Sequence, residues 1–229
     1  MKNDFFVLMN DFKNPYQPTH INGLLDIIKG DKLPICSSKI SFPYDVKEII
    51  NDEIYWNFNK NEELDCDYYH DQGHIISEEL YLLINEYNLA PNYKKNLRVW
   101  MAGKQSDYKF NYFAFDRGTW EKGVQKNKDR IFYDVEKSKY KIGKRKEIIP
   151  TGSIVLTENA NKYDCFELSG RVYGLSILII ISKRLKEDIE EKNFKGIKII
   201  PLNEAFEEYC TDYKVSLESL LPKVKKNLP

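Results

Sequence analysis

The chain has 229 residues, no net formal charge, 42% apolar residues and 14% aromatics, among them 16 Tyr and 12 Phe. Such a length supports one domain with a sizeable core, and the aromatic content excludes an intrinsically disordered chain. A balanced charge excludes uniform attraction to nucleic acid or to an anionic membrane, and the most apolar run, residues 175–181, falls far short of the roughly 20 residues that span a bilayer.

Phe5-Phe6-Val7-Leu8-Met9 reads as a buried opening strand. Leu24, Leu25, Ile27 and Ile28 fit a short amphipathic helix ending at Gly30. Residues 53–58, Glu-Ile-Tyr-Trp-Asn-Phe, alternate as a half-buried strand does. Ser77 is placed to cap a helix N-terminus, with Glu78 and Glu79 at the positive end of its dipole and Leu80, Leu83, Ile84 and Tyr87 along one stripe. Residues 97–101 and the strongly aromatic 110–115 read as strands. Residues 116–147 read as exposed short strands or a long excursion, and 154–156 and 165–168 as short strands or strand fragments.

Residues 175–181 have almost no polar face and predict a central strand. Ser182 then caps a helix carrying Leu185 and Ile189. Asn193-Phe194-Lys195-Gly196 turns the chain into a strand over 197–202, and Ala205, Phe206 and Tyr209 suggest a short helix. The expected organisation is one α+β domain, a mixed sheet with a few flanking helices, over residues 1–210. Residues 211–229 form a weakly docked C-terminal tail that frays from Lys223 onward. The Ser77 and Ser182 helices follow similar strands and carry similar stripes, as a repeat would; Ser-capped amphipathic helices are also common in unrelated settings.

Charge is unevenly spread. Residues 48–87 hold 11 acidic residues and one basic residue, Lys60, whereas residues 94–149 hold 16 basic and 7 acidic residues. Either these are solvated faces or the surface has an acidic and a basic region. Cys36, Cys66, Cys165 and Cys210 are far apart with no CxxC pair, and Met1-Lys2-Asn3-Asp4-Phe5 lacks a signal-peptide pattern. A cytoplasmic protein with reduced, partly buried thiols is expected.

Catalytic and cofactor motifs are missing. There is no phosphate-binding G-x-x-x-x-G-K-[ST], no G-x-G-x-x-G and no G-x-S-x-G elbow; Gly143-Lys144-Arg145-Lys146 has the cations without the glycine framework. Glu190-Glu191-Lys192 has a nuclease-like spacing but falls late in a helix, where it reads as a solvated charge run. Histidines are His20, His70 and His74. His70 and His74, with Asp65, Cys66, Asp67 and Asp71 nearby, offer ligands suited to zinc, but Gly73 argues against the helix that would align them, and a polar loop is the plainer reading. Trp56 and Trp100 alternate within apolar strands and read as core. Trp120, in a turn-like Gly118-to-Gly123 segment, is the best of the three for an exposed contact.

Residues 177–182, Ile-Leu-Ile-Ile-Ile-Ser, then Leu185 and Ile189, then the Asn193-Phe194-Lys195-Gly196 turn and residues 197–202 ending Ile-Pro-Leu, resemble bacterial immunity proteins of polymorphic-toxin systems. With the opening strand, the Leu-rich segment at Gly23 to Gly30, Phe42-Pro43 and Tyr55-Trp56, the chain looks similar to the immunity protein 43 family from about Phe5 to Tyr209. That resemblance implies a non-enzymatic protein without cofactor or metal that binds a cognate toxin and blocks its active or target-binding surface, with no catalytic set to carry over. The expected contact residues are Glu62, Glu63, Asp65, Asp67, Asp71 and Trp120. Two rival readings are a metal-dependent hydrolase using His70 and His74, and a nucleic-acid-binding module using the basic stretch with Tyr108, Phe110 and Tyr112 as stacking platforms.

Overall fold

A computed structural model describes residues 4–15, 23–27, 29, 53–70, 73–118, 120–121, 124–168 and 171–222, with the backbone alone at 120, 121, 124 and 125. His20, Cys36, Phe42-Pro43, Asp71 and the expected fraying of residues 223–229 lie outside the described residues. In chain order the elements are β1 (Phe5–Asn10), β2 (Gly23–Asp26), β3 (Ile54–Phe58), β4 (Tyr68–His70), β5 (His74–Ser77), α1 (Glu78–Ile84), β6 (Asn92–Met101) and β7 (Lys104–Phe115). Then come β8 (Trp120–Glu121), β9 (Val124–Gln125), β10 (Tyr140–Ile142), β11 (Ile148–Pro150), β12 (Cys165–Glu167), β13 (Ile179–Ser182), α2 (Lys183–Lys192), β14 (Ile197–Pro201), α3 (Ala205–Asp212) and α4 (Leu217–Leu220). Strands that pair beyond their sequence neighbours, with helices set between them, make this a single α+β domain.

Two sheets carry the core. The larger runs β2-β3-β6-β7-β5-β4 and is mixed, its one parallel pair being β3 with β6. Trp56 of β3 stacks on Tyr69 of β4 with ring centroids 5.7 Å apart. In a flat sheet those strands, four places apart, would be separated by about 19 Å, so the sheet curls on itself. Alternation then sorts its side chains: Ile54, Trp56, Tyr69, Ile75, Val99 and Tyr112 fill the curl. Tyr68, Ile76, Phe113 and Phe115 point outward to a second core.

That second core lies against the smaller sheet, β12-β13-β1-β14, which is antiparallel throughout. Ile179, Ile180 and Ile181 are all fully buried, so β13 is covered on both faces, as its run of isoleucines predicts. Helix α2 packs on β13 and β1, α1 packs on β5 and β7, and the two helices touch. Both begin as expected: the Ser77 hydroxyl accepts from Leu80 N at 3.1 Å and the Ser182 hydroxyl from Leu185 N at 3.4 Å.

Two expectations fail locally. The segment at Leu24 and Leu25 is strand β2, not a helix; it pairs antiparallel with β3, and a Cβ on Gly23 would lie 2.6 Å from the Trp56 indole nitrogen. The central strand starts only at Ile179, because Leu175 and Leu178 are buried in the preceding turns. Residues 154–156 are a strand fragment, paired only through a single bridge from Leu156 to Tyr133. Residues 116–147 hold two short strands, β8 and β9, a 3-10 turn at Lys128–Arg130 and the first strand of the β10–β11 hairpin. Beyond α3, Leu220 is buried and its carbonyl accepts from Lys144 N at 3.0 Å.

Candidate functional site

His70 and His74 do come together, though not on a helix. They face each other across the β4–β5 hairpin, with ring centroids 5.1 Å apart. Gly73, at φ +129°, makes that turn possible and leaves room for Tyr112, whose ring would meet a Cβ there at 2.6 Å. Both imidazoles are walled off from solvent. The backbone of His70 is clamped by the Asn10 amide, which donates from Nδ2 to His70 O at 2.9 Å and accepts from His70 N at 2.8 Å. Asn10 ends β1 and His70 ends β4, so one side chain ties the two sheets.

His74 belongs to a longer chain of contacts across the same seam. Its Nε2 lies 2.8 Å from Glu167 Oε1 and its Nδ1 3.3 Å from the Tyr68 hydroxyl. Arg117, just past β7, donates to Glu167 twice, Nε to Oε2 at 2.6 Å and an NH2 to Oε1 at 3.0 Å. Burial would push the Glu167 carboxyl up, but the Arg117 guanidinium and the hydrogen bonds from Arg117 and His74 outweigh it and hold it at about 2. An ionised carboxylate only accepts, so the His74 Nε2 donates to Glu167, while burial pushes the Tyr68 hydroxyl up and its oxygen sits within hydrogen-bond distance of Nδ1. Both ring nitrogens of His74 are thus occupied, and among the described residues no group of three or more His, Cys, Asp or Glu could hold a metal ion. Here the histidines join sheets.

Sequence reasoning missed this seam. Its one signal was Glu167, a charge inside the apolar Cys165-Phe166-Glu167-Leu168, which demands a buried partner; Arg117 and His74, 50 and 93 residues away, could not be read from it.

The acidic run lies on the surface beside α1 and the turn that follows α2. Asp65 forms an ion pair with Lys195, with Nζ 2.6 Å from Oδ2. Asp67 accepts from Lys195 N at 2.7 Å and donates from its own N to Lys195 O at 2.8 Å. Gly196, at φ +75°, lets this turn sit close: a Cβ there would be 2.7 Å from Cys66 Cβ. Glu62 pairs with Lys60 at 3.2 Å, and Glu63 is exposed. Cys66 is buried among them, and desolvation followed by Asp67 and Asp65 pushes its thiol up to about 12.

Between this run and the helices lies a depression of about 500 Å³, lined by Asp65, Asp67, Glu79, Glu86, Phe194 and Lys195, with Leu82 on its wall. Glu79 and Leu82 stand on the outer ridge of α1, three residues apart as one helix face requires, and Glu86 follows in the turn after the helix. Leu82 is 56% exposed. The ridge was legible only as the face opposite the apolar stripe. Trp120 starts β8, and its side chain lies outside the described residues.

The aromatic platforms of the nucleic-acid reading are not platforms. Phe110 and Tyr112 are buried inside the curl, and the Tyr108 hydroxyl accepts from Leu64 N at 3.2 Å. Trp56 and Trp100 are buried, as expected. Glu190 pairs with Lys186 on the outside of α2. Cys66, Cys165 and Cys210 are free thiols.

The chain is an α+β domain with a buried polar seam between its two sheets and an acidic ridge facing solvent. The model of the family described as Immunity protein 43 matches residues 4–217, and the chain belongs to that family. Among curated proteins, none matches the sequence. Among the described residues no helix is long and apolar enough to cross a membrane.

Proposed function

We propose that this protein neutralises a cognate bacterial toxin by occlusion, laying its acidic face over the toxin's active or target-binding surface. The observation that carries the reading is the α1 ridge beside the depression, where exposed Leu82 stands among Glu79, Glu86, Asp65 and Asp67. An apolar centre with a polar rim is the anatomy of a protein interface, and the acidic rim suits a toxin with a basic, nucleic-acid-handling cleft. Asp65 and Asp67 also hold the Lys195 turn, so Glu63, Glu79 and Glu86 are the carboxylates most available to a partner. Asp71 extends the acidic run in sequence, and Trp120 is a second proposed anchor from its residue type and turn context. The protein works in the cytoplasm of the producing cell as an inhibitor, not as an enzyme.

The test is co-expression with the cognate toxin. Cells should survive, and the two chains should co-purify in fixed stoichiometry. Survival without a complex, or protection by a trace of this chain that turns the toxin over, would overturn the reading.

A further inference from the structure

We infer that the free edge of β10 is a docking strand for an extended segment of a protein partner in which acidic and apolar residues alternate. β10 pairs only with β11, in the register Tyr140↔Pro150, Lys141↔Ile149 and Ile142↔Ile148. The flanking backbone bonds, Thr151 N to Lys139 O at 3.0 Å and Gly143 N to Glu147 O at 2.9 Å, fix which groups face inward. Residues 139, 141 and 143 spend their backbone groups on β11, so by the antiparallel alternation those of Tyr140 and Ile142 point to the open side. No described residue pairs with them there.

The side chains sort by the same alternation. Tyr140 and Ile142 share one face, at 36% and 50% exposure, and are two of the five large apolar residues left exposed among the described residues. Lys139 and Lys141 share the other face, and Arg145 and Lys146 follow in the turn; all four are exposed and make no ion pair among the described residues. An incoming strand would therefore set carboxylates against Lys139 and Lys141 and apolar side chains against Tyr140 and Ile142. The same lysines exclude a second copy of this chain, because β10 against β10 would oppose like charges. This edge goes beyond the acidic face and does not depend on it.

A short capped peptide alternating Glu and Val is the probe, with amide shifts and amide exchange of the intact protein as the readout. The peptide should shift the amides of Tyr140 and Ile142 and slow their exchange. Reversing Lys139 and Lys141 to Glu should weaken binding about tenfold and restore it for a peptide alternating Lys and Val. A peptide N-methylated at the positions facing β10 should not bind, a control that leaves the protein's fold untouched. Equal binding of the N-methylated peptide, shifts centred away from β10, no binding at millimolar peptide, or a dimer through β10 would each overturn the proposal. No toxin enters the measurement, so failure here leaves the acidic-face reading standing, and failure there leaves this one.

Discussion

At the seam between the sheets, Glu167 is 4% exposed and accepts from Arg117 twice while contacting His74; on α1 and the turn after it, Glu79 and Glu86 stand in solvent with no ion pair among the described residues. Both regions use carboxylates, yet their surroundings assign them different work. A charge inside the protein is tolerable only while its partners stay in place, so the seam fixes how the sheets meet. A charge on an exposed ridge contributes little to folding and stays available to another molecule. The acidic neighbours of the two histidines in sequence, Asp65 and Asp67, hold the Lys195 turn instead, while His70 is clamped by Asn10 and His74 contacts Tyr68 and Glu167.

Breaking the seam should have the largest effect. Arg117→Met strands a buried carboxylate, and loss of one partner of such a pair costs about 3–5 kcal/mol. In thermal melts that is a fall of roughly 10 °C for a domain of this size. Arg117→Met with Glu167→Met should be less destabilised than the single changes sum to, the mark of a coupled pair. Additive losses would mean that the two groups do not depend on each other. In the same core, Ile179→Ala and Ile180→Ala should each cost about 2–5 kcal/mol by urea titration, since both side chains are fully buried. If either variant unfolds like the parent, β13 is not covered on both faces.

Acid should sharpen the contrast. The Glu167 carboxyl is held at about 2 in the folded protein, below its ordinary value of 4.5. Its contribution is therefore present above about pH 4.5 and is lost as the pH falls toward 2, on the order of 3 kcal/mol in all. Glu167→Gln should flatten the stability curve in that window and leave the slope at neutral pH alone. An unchanged acid limb would show that other carboxylates govern it.

Much of the fold was legible because much of it is local. Ser77 and Ser182 announce their helices through a hydrogen bond closed three residues on, and the aromatic alternation of residues 110–115 marks an inside and an outside. What failed depended on distant partners. Leu24 and Leu25 fit a helix by spacing, but the Gly23 backbone is needed against Trp56 and the segment completes the sheet edge beside β3. Residues 175–178 are as apolar as the strand they precede, and burial alone does not distinguish a packed turn from a strand. The acidic run was visible as composition, whereas its division into Asp65 and Asp67, which hold the Lys195 turn, and Glu63, which does not, required the fold.

On the ridge the expected effect on stability is the smallest. Glu63→Lys with Glu79→Lys and Glu86→Lys should move the unfolding free energy by only about 0.5 kcal/mol per site or less, because none of the three is buried or paired among the described residues. A melt well below the parent's would mean that the ridge is part of the core structure.

That same triple variant provides the most direct test of the account, by calorimetric titration against the cognate toxin and by protection of cells expressing it. With folding retained, binding should weaken about a hundredfold or more and protection should be lost, as expected when close interfacial charge pairs are reversed. Parent-like binding and protection, with both lost instead when Lys141, Lys144, Arg145 and Lys146 are changed to Glu, would contradict it and place the interface on the basic hairpin.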